Sequence, residues 1–577
     1  MIRNSTKTAI IRFICTVMAA VLLLPCAGTG AFAEEETATK PSAPVFSVPG
    51  GFYDDPVMLS MTSPEGNSIF YTLDCNDPAK TAYSFEYSFP FEIANTDHYV
   101  NGISSKREVT LEEWYYPPYE PVPKATVVRA VCIDEAGNVS DETVQTYFIH
   151  RTEDYYNTMN TISLVTEGSN LFGAVNGIYV VGEHFEEWRN SDDYEEYDNI
   201  ADPRYPTNYN QRGREWERPC RIQVFSGGES VLEQNVGMRV SGNYSRCGAQ
   251  KSITLYARKE YGKGKMDYNF FGGKCVDMNG EPIEKYDRVT LRNGGNDYAG
   301  VRFRDDLNQE LMSGLNLSVQ TKTPYILYIN GEFWGMYSMQ EKLDDHYLAS
   351  HYGVDEDNVT IIKKGKLDKG SEEIMQEYCD FYEWALEADF SDEENYRRFE
   401  ETVDVDGLID LFVAESYICN WDFAPNVNNW MMWRVNEPDG TPYGDGKWRF
   451  MVYDTEYSLG LYGQFETGYY YDYLGNMDVD NTDLALPVLV FYLSLCSEDF
   501  TSRFSERYRE LVDTVFAKER VLPMIDRYVE QQREAYEDTQ KRFSIWGDYR
   551  NEVFVIKTFF EERAPYAIEQ MEAFCGE

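Results

Sequence analysis

Positive charge is scarce in this sequence of 577 residues. Lysine and arginine together number 52, against 98 aspartates and glutamates, and the formal net charge is -46. Because phosphate backbones and anionic lipids repel such a surface, we expect neither a nucleic-acid partner nor docking to a membrane. The same charge is compatible with cation binding. Aromatic residues make up 15% of the chain, which argues for folded domains and against a disordered acidic polymer.

Cysteine pairs at short spacing are absent as well. The eleven cysteines are scattered along the chain without a CxxC motif, which argues against a zinc cluster. Cys15 and Cys26 lie in the N-terminal segment, and the cysteines that follow are odd in number. At least one thiol must therefore stay unpaired within a monomer, while one or two disulfides are compatible with the sequence.

Long apolar runs are missing beyond the N-terminal segment. There, Arg3, Lys7 and Arg12 accompany the apolar stretch "FICTVMAAVLLLPCAG", and "AFA", ending at Ala33, offers a small-x-small cleavage site. The stretch is short for a stable membrane span, although an uncleaved anchor is the alternative. We therefore expect an export signal over residues 1–33, cleaved after Ala33, and a secreted or cell-surface protein.

Residues 42–150 alternate apolar and polar positions in short runs such as "VMLSMTS", separated by proline, glycine, aspartate and asparagine. This pattern is typical of a small all-β sandwich. The segments "IFYTLDCNDP" and "TVVRAVCIDEAGNVSD" resemble the chitobiase/β-hexosaminidase C-terminal-type module, although Cys75 and Asn76 replace the usual Gly-Ser. Such modules are commonly appended to surface proteins, so the resemblance allows contact with a cell wall or glycans.

From about residue 155 the pattern changes. Residues 155–300 are predicted to be rich in strands and long loops, and the polar, tyrosine-rich stretch 186–219 is interpreted as a solvated insertion. Beyond residue 300, apolar residues recur at helical spacing in "FRDDLNQELMSGL", "SEEIMQEYCDFYEWALEA" and "DVDGLIDLFVAESYICNW". We therefore predict an α+β domain over 155–577, with strands first and helices second.

A glycine-containing turn between two predicted strands is the first candidate for chemistry. One strand runs to Val240, a turn containing Gly242 follows, and Lys251 opens the next strand. Backbone N–H groups and Arg246 can donate to phosphate oxygens, and Lys251 can supply a point charge. A plain hairpin with basic surface residues is the alternative.

The motif "LRNGGND" has a structural interpretation. In "LRNGGND", the polar residues Arg292, Asn293, Asn296 and Asp297 are predicted to cap the helix that follows a tight turn.

Asn330-Gly331 predicts a two-residue hairpin, after which Glu341 and Lys342 lie where a strand gives way to a helix. A carboxylate there can pair with a lysine from another strand, although an exposed charged pair of little energetic value is the alternative.

Acidic and amide side chains follow two predicted apolar segments. Asp422, Asn428 and Asn429 lie in "CNWDFAPNVNNWMMWRV", and Asp454 and Glu456 end the strand of "KWRFMVYDTEYSLG". Mg²⁺ in proteins is commonly held by one or two carboxylates together with amide and water oxygens. A helix cap and a strand-end turn are the alternatives for the separate pieces, but their joint occurrence predicts a metal site.

Taken in order, these motifs resemble the spore coat protein H (CotH) kinase family over about residues 160–570. The resemblance implies ATP and Mg²⁺ or Mn²⁺ as cofactors. It also implies transfer of the γ-phosphoryl group to Ser/Thr-type hydroxyls of secreted or surface proteins. The fold class expected is α+β, an atypical protein-kinase-like domain preceded by a small all-β sandwich.

On the nucleotide side, the resemblance implies that Lys251 contacts the ATP phosphates, with Arg246 and the Gly242 turn nearby. Glu341 would pair with Lys251 and orient it.

On the catalytic side, the resemblance implies that Asp422 accepts or orients the substrate hydroxyl. Asn429 or Asn428 would bind the metal together with Asp454, and Glu456 stands where the family has a second aspartate.

The choice of asparagine stays open. Ordinary kinases place it five residues after the catalytic aspartate, where this chain has Val427, while Asn426, Asn428 and Asn429 lie nearby. Two other classes of function remain: a non-catalytic surface or adhesion protein, and, with less support, a glycoside hydrolase with paired carboxylates.

Overall fold

The computed structural model describes residues 40–463, 465, 467–477 and 485–576. The export signal predicted over 1–33 lies outside these residues. From Pro41 onward the chain forms one compact unit. Its described residues contain 22 strands and 11 α-helices, so the mixed α+β class is confirmed.

The strands of the N-terminal region and of the segment that follows are β1 (Val45–Phe46), β2 (Gly51–Tyr53), β3 (Val57–Leu59), β4 (Met61–Thr62), β5 (Ser68–Thr72), β6 (Phe85–Glu86), β7 (Phe91–Ile93), β8 (Thr126–Ile133), β9 (Thr143–Ile149), β10 (Thr161–Val165), β11 (Arg218–Ser226), β12 (Glu229–Ser241), β13 (Ser252–Tyr256), β14 (Met266–Asp267), β15 (Lys285–Tyr286) and β16 (Arg288–Arg292). The later strands are β17 (Lys322–Ile329), β18 (Glu332–Gln340), β19 (Val359–Lys363), β20 (Lys366–Lys369), β21 (Trp430–Val435) and β22 (Arg449–Val452).

The α-helices are α1 (Gly168–Phe172), α2 (Glu183–Arg189), α3 (Arg304–Met312), α4 (Asp345–Tyr352), α5 (Glu372–Glu387), α6 (Glu393–Thr402), α7 (Val405–Tyr417), α8 (Leu486–Ser494), α9 (Glu498–Asp513), α10 (Lys518–Phe543) and α11 (Tyr549–Cys575).

Seven strands pair edge to edge in a closed ring. Their order is β11-β10-β17-β18-β16-β13-β12, and β12 pairs back with β11. The β10–β17 pair is parallel, and the other neighbours in the ring are antiparallel. One buried apolar cluster takes side chains from every strand of the ring, among them Ile162, Ile222, Val236, Ile253, Leu291, Leu327 and Met339. Closure leaves no free edge for these strands and gives the loops at their ends fixed positions.

The N-terminal region is built from strands, as its sequence pattern predicts. Strands β2, β9, β8, β5 and β6 continue the large sheet from β12, where Gly51 pairs with Glu229. Val128 of β8 and Tyr147 of β9 belong to a buried cluster that also contains Leu59 of β3. The packing shows no break at residues 150–155, so the predicted module boundary and its chitobiase-type identity stay predictions.

The helical half surrounds a smaller sheet with the order β20-β19-β21-β22. The predicted helices over "FRDDLNQELMSGL", "SEEIMQEYCDFYEWALEA" and "DVDGLIDLFVAESYICNW" are confirmed as α3, α5 and α7. Helix α7 is buried along nearly its whole length, because it packs against α8, α9 and β22. The side chain of Asp404 caps its first turn by accepting from the backbone N of Gly407.

The prediction of a solvated insertion over 186–219 is wrong for part of that stretch. Tyr205 and Tyr209 are buried in a cluster with Phe185 and Cys247. Burial of the aromatic rings in this segment is favourable, and locally it exceeds the free-energy cost of holding the neighbouring charges close to the protein. The segment therefore covers the turn that follows β12.

No disulfide links the nine cysteines of the described residues to one another. Among the helices of the described ranges, none combines the length and the apolar character that a membrane crossing requires.

Candidate active site

A cavity of about 380 Å³ opens between the closed ring and the four-stranded sheet. Its wall takes residues from the turn after β12, the end of β16, the loop between α7 and β21, and the segment after β22. Six of the nine site residues predicted from the sequence line it: Gly242, Asp422, Asn428, Asn429, Asp454 and Glu456. Lys251, Arg246 and Glu341 do not belong to this wall.

Helix α7 delivers Asp422 to the cavity. The helix ends at Tyr417, and Cys419 adopts a left-handed φ of 53°, which turns the chain out of the helix. Asn420 fastens this turn, because its Nδ2 donates to Oε2 of Glu415 at 2.8 Å and its Oδ1 accepts from the backbone N of Asp422 at 3.2 Å. Burial raises the pKa of Glu415 to about 8. Polar contacts buried behind Asp422 therefore set its position.

The Asp422 carboxylate accepts from two asparagines of its own loop. Nδ2 of Asn426 lies 3.0 Å from Oδ1, and Nδ2 of Asn429 lies 3.1 Å from Oδ2. Burial raises the pKa of Asp422 above its ordinary value, and the charge of Asp454 acts in the same direction. A fixed carboxylate with a raised pKa has the properties expected of a proton acceptor.

Asn429 joins the two aspartates of the cavity. Its Nδ2 donates to Oδ2 of Asp422 and to the backbone oxygen of Asp454, each at 3.1 Å. Both bonds use the amide nitrogen, so the amide oxygen is the atom suited to a cation. Asn426 is exposed outside the wall, while Asn428 lines the cavity. The geometry therefore favours Asn429 over Asn426 and Asn428 as the asparagine that binds a metal ion.

Arg292 bridges the two acids that follow β22. Its Nη2 donates to Oδ1 of Asp454, and its Nε donates to Oε1 of Glu456, each at 2.7 Å. Although burial opposes it, the two carboxylates hold the pKa of Arg292 well above its ordinary value. Burial raises the pKa of Glu456 to about 8, against the opposing effect of Arg292. The "LRNGGND" motif, predicted to have a structural role, thus contributes a charged residue to the cavity.

The glycines of this motif permit a close approach to Glu456. The backbone N of Asn296 donates to Oε2 of Glu456 at 2.7 Å. Gly295 has a φ of 47°, and a Cβ there would lie 2.0 Å from Oε2 of Glu456 and 2.5 Å from Nη2 of Arg292. A larger residue at 295 would collide with the Arg292–Glu456 pair, so the Gly-Gly sequence was the signal that could have revealed this part of the site.

A buried lysine–carboxylate pair holds the segment that carries Asp454 and Glu456. Oδ1 of Asp305 accepts from the backbone N of Thr455 at 3.1 Å and from its Oγ1 at 2.9 Å. Nζ of Lys322 donates to the other oxygen of Asp305. Although burial opposes it, Lys322 holds the pKa of Asp305 at about 2. The pair fixes Thr455 between the two acids of the cavity.

The predicted contact of Lys251 and Arg246 with phosphate is not what the structure shows. Lys251 is completely buried, and its Nζ donates to the backbone oxygens of Arg246 at 2.6 Å and Gly248 at 2.8 Å. Its Nζ also lies 3.9 Å from the centre of the Tyr209 ring, and burial lowers its pKa to about 7. Nε of Arg246 donates to the oxygen of Gly242 at 2.8 Å. The side chains of Lys251 and Arg246 thus stabilise the turn through hydrogen bonds to its backbone oxygens, on the side away from the cavity.

Glu341 is not paired with Lys251. Its carboxylate instead contacts His351, Cys275 and the backbone N of Thr321. The strand register explains the difference, because Ile253 pairs with Leu291 while Gln340 pairs with Thr290. Lys251 and Glu341 therefore lie towards opposite ends of β16.

Lys364, Glu112 and Trp114 are among the cavity residues that the sequence did not single out. Lys364, in the turn between β19 and β20, has a φ of 51°, and its charge opposes the rise that burial causes in the pKa of Asp422. Glu112 and Trp114 reach the wall from the N-terminal region. These contributions depend on long-range packing, which no local sequence pattern reports.

One family of known proteins matches this chain. A sequence model of the family described as CotH kinase protein matches residues 238–567, from within β12 to within α11. The matched range contains every site residue named above except Glu112 and Trp114. No curated protein gives a significant match.

Proposed function

Because the chain belongs to the CotH kinase family, we propose that it is a protein kinase that transfers the γ-phosphoryl group of ATP to Ser/Thr-type hydroxyls. The observation that carries the proposal is the joining of Asp422 to Asp454 through Asn429 in one cavity. A carboxylate for the acceptor hydroxyl and a carboxylate with an amide for the metal are what phosphoryl transfer requires.

The residues present fit Mg²⁺ or Mn²⁺. Asp454, Asn429 and Glu456 offer carboxylate and amide oxygens, the donors that these hard cations prefer. A bound divalent ion neutralises charge on the phosphates during transfer. Arg292 already pairs with Asp454 and Glu456, so it balances their charge and fixes their direction.

The turn after β12 is the proposed phosphate cradle. Gly242, Asn243 and Ser245 line the cavity, and successive backbone N–H groups in such a turn form a concave donor surface for anions. Lys251 and Arg246 keep the turn in shape through its carbonyl oxygens. Lys364 lines the cavity, and its ammonium group is the proposed charged contact to the phosphates.

Asp422 is the proposed catalytic residue. Its carboxylate is held by Asn426 and Asn429 at the cavity wall, where it can orient an acceptor hydroxyl and take up its proton. We further propose that the acceptors are secreted or surface proteins. The export signal predicted for this chain supports that proposal.

A non-catalytic binding protein is the second candidate, and the Arg292 bridge favours it. Arg292 engages both Asp454 and Glu456, so the acids have a structural role that needs no metal. The kinase is expected to bind ATP, whereas the non-catalytic binding protein is not.

Calorimetry with ATP and Mn²⁺, followed by a transfer assay, tests the proposal on the purified chain. We expect binding by the wild type, a loss of binding in Asp454→Asn, and binding without transfer in Asp422→Asn. Asp192→Asn, an exposed residue of the 186–219 segment, is the matched control and should behave as wild type. A wild-type chain that binds no nucleotide would overturn the proposal in favour of the second candidate.

A further inference from the structure

Three potential metal ligands meet away from the candidate active site. Sγ of Cys275 lies 3.1 Å from Oε1 of Glu341 and 3.7 Å from Nε2 of His351, and that Nε2 lies 2.8 Å from the same Oε1. Cys275 follows β14, Glu341 follows β18, and His351 is in the last turn of α4. None of the three lines the cavity that contains Asp422.

We propose that Cys275, Glu341 and His351 form a zinc site that ties the segment after β14 and helix α4 to the end of β18. A thiolate, an imidazole and a carboxylate are the ligand types that Zn²⁺ takes, and the sulfur disfavours Mg²⁺ and Ca²⁺. Ordinary zinc–ligand distances around a tetrahedron place ligand atoms about 3.3–3.6 Å apart. The observed separations bracket that range, so small side-chain rotations suffice for binding.

The three side chains are held in place before any ion binds. Cys275 is 1% exposed and Glu341 5% exposed. The backbone N of Thr321 donates to Oε2 of Glu341 at 3.0 Å, and the Tyr347 ring stacks on the His351 ring with a centroid distance of 4.1 Å. Contacts of this kind orient metal ligands and strengthen the site.

Charge balance also favours a dication at this position. Binding of Zn²⁺ would release the Cys275 proton, and the resulting thiolate together with the Glu341 carboxylate would neutralise both charges of the ion. Because burying an unbalanced charge is costly, a neutral ensemble suits a buried site. His351 is only partly buried, so the ion has a way in, and a water molecule can complete the coordination.

The sequence does not reveal this site. Cys275 is separated from Glu341 by 66 positions, and Glu341 from His351 by 10. The lack of a CxxC motif argues against a cysteine-rich cluster, but a site with one cysteine has no such signature. The folding of the ring brings the three segments together.

Metal analysis of the purified full chain tests the proposal. After incubation with Zn²⁺ and dialysis, we expect one zinc ion per wild-type chain and a higher melting temperature than for the metal-free chain, because the ion binds only the folded state. Cys275→Ser and His351→Gln should weaken zinc binding by at least about tenfold. Cys496→Ser, an exposed thiol, and His346→Gln, on the same helix as His351, are the matched controls and should keep the ion.

Replacing zinc by Co²⁺ gives a readout in the wild-type chain itself. The wild-type chain should show a thiolate-to-cobalt charge-transfer band that Cys275→Ser lacks. A wild-type chain without stoichiometric zinc and without this band would show that the three residues form a hydrogen-bonded network only, and that result would overturn the proposal. Zinc retained equally by Cys275→Ser and His351→Gln would overturn it too.

Discussion

Nη2 of Arg292 lies 2.7 Å from Oδ1 of Asp454. The same guanidinium reaches Oε1 of Glu456, so one residue at the end of β16 sets the direction of both acids after β22. The ring and the four-stranded sheet are thus joined at the candidate active site by charge-assisted hydrogen bonds. The arrangement makes the site sensitive to changes on either side of the cavity.

Replacing Arg292 by alanine should impair both stability and activity. Glu456 is nearly buried, and loss of Arg292 leaves Oε1 of its side chain without a hydrogen-bond donor, which costs about 2 kcal/mol in free energy of unfolding. We expect urea denaturation to show this loss and phosphoryl transfer to fall by more than about tenfold. The exposed pair Arg214–Glu260 provides the control, since Arg214→Ala should change stability little. Equal stability of the two variants would argue against a structural role for Arg292.

Gly295→Ala should damage the site while leaving the overall fold intact. The new Cβ would lie 2.0 Å from Oε2 of Glu456, so the Arg292–Glu456 pair would have to move. We expect phosphoryl transfer to fall by more than about tenfold, because small displacements of catalytic groups are costly. Gly440→Ala is the matched control, since Gly440 also has a positive φ but its Cβ would meet nothing within 4 Å. Comparable activity of the two variants would contradict the close approach described at Gly295.

Lys251→Met should separate bracing of the turn from direct contact with phosphate. The substitution removes the donor to the oxygens of Arg246 and Gly248, which we expect to cost about 2 kcal/mol in free energy of unfolding. A distorted cradle should raise the KM for ATP while kcat changes only a few-fold. Exposed Lys259→Met serves as the control. A large fall in kcat with unchanged stability would instead indicate that Lys251 acts on the phosphates directly.

Glu415→Gln should change how stability depends on pH. Burial raises the pKa of Glu415 from 4.5 to about 8, so the folded state holds a proton that the unfolded state loses between these pH values. The stability that Glu415 contributes is therefore present below pH 4.5 and is lost as pH rises through about 8. Glutamine removes this dependence.

Between pH 4.5 and about 8, the free energy of unfolding of Glu415→Gln should increase relative to that of the wild type. The increase should be up to about 1.4 kcal/mol per pH unit. Urea denaturation at several pH values measures it. Exposed Glu373→Gln should show no such trend, and a gain of Glu415→Gln that does not vary with pH would rule out the raised pKa.

The sequence predicted the parts of the site that are local in the chain. Asp422 and Asp454 each follow an apolar element whose period is readable, so the direction of the chain at their positions could be inferred. The Asn330-Gly331 hairpin is confirmed for the same reason, because the turn sequence itself requires positive φ at both residues.

The remaining parts depended on contacts between distant segments. Lys251 is buried because Tyr209, from a stretch that looked solvated, covers it. The register of β18 on β16 keeps Glu341 away from Lys251, and the packing of α4 places His351 beside Glu341. The sequence around Arg292 predicts a structural role, because nothing in that segment shows that the chain after β22 returns to it. Burial and register of this kind are properties of the whole fold.

We propose that transfer of the terminal phosphoryl group of ATP to protein hydroxyls takes place in this cavity. It is tested most directly by incubating the purified chain and an acceptor protein with Mn²⁺ and ATP that carries a radiolabel on either the γ- or the α-phosphorus. We predict label on serine or threonine from γ-labelled ATP only, and none with Asp422→Asn or Asp454→Asn. Equal labelling by the wild type and both variants, or label arriving from the α-position, would contradict the account.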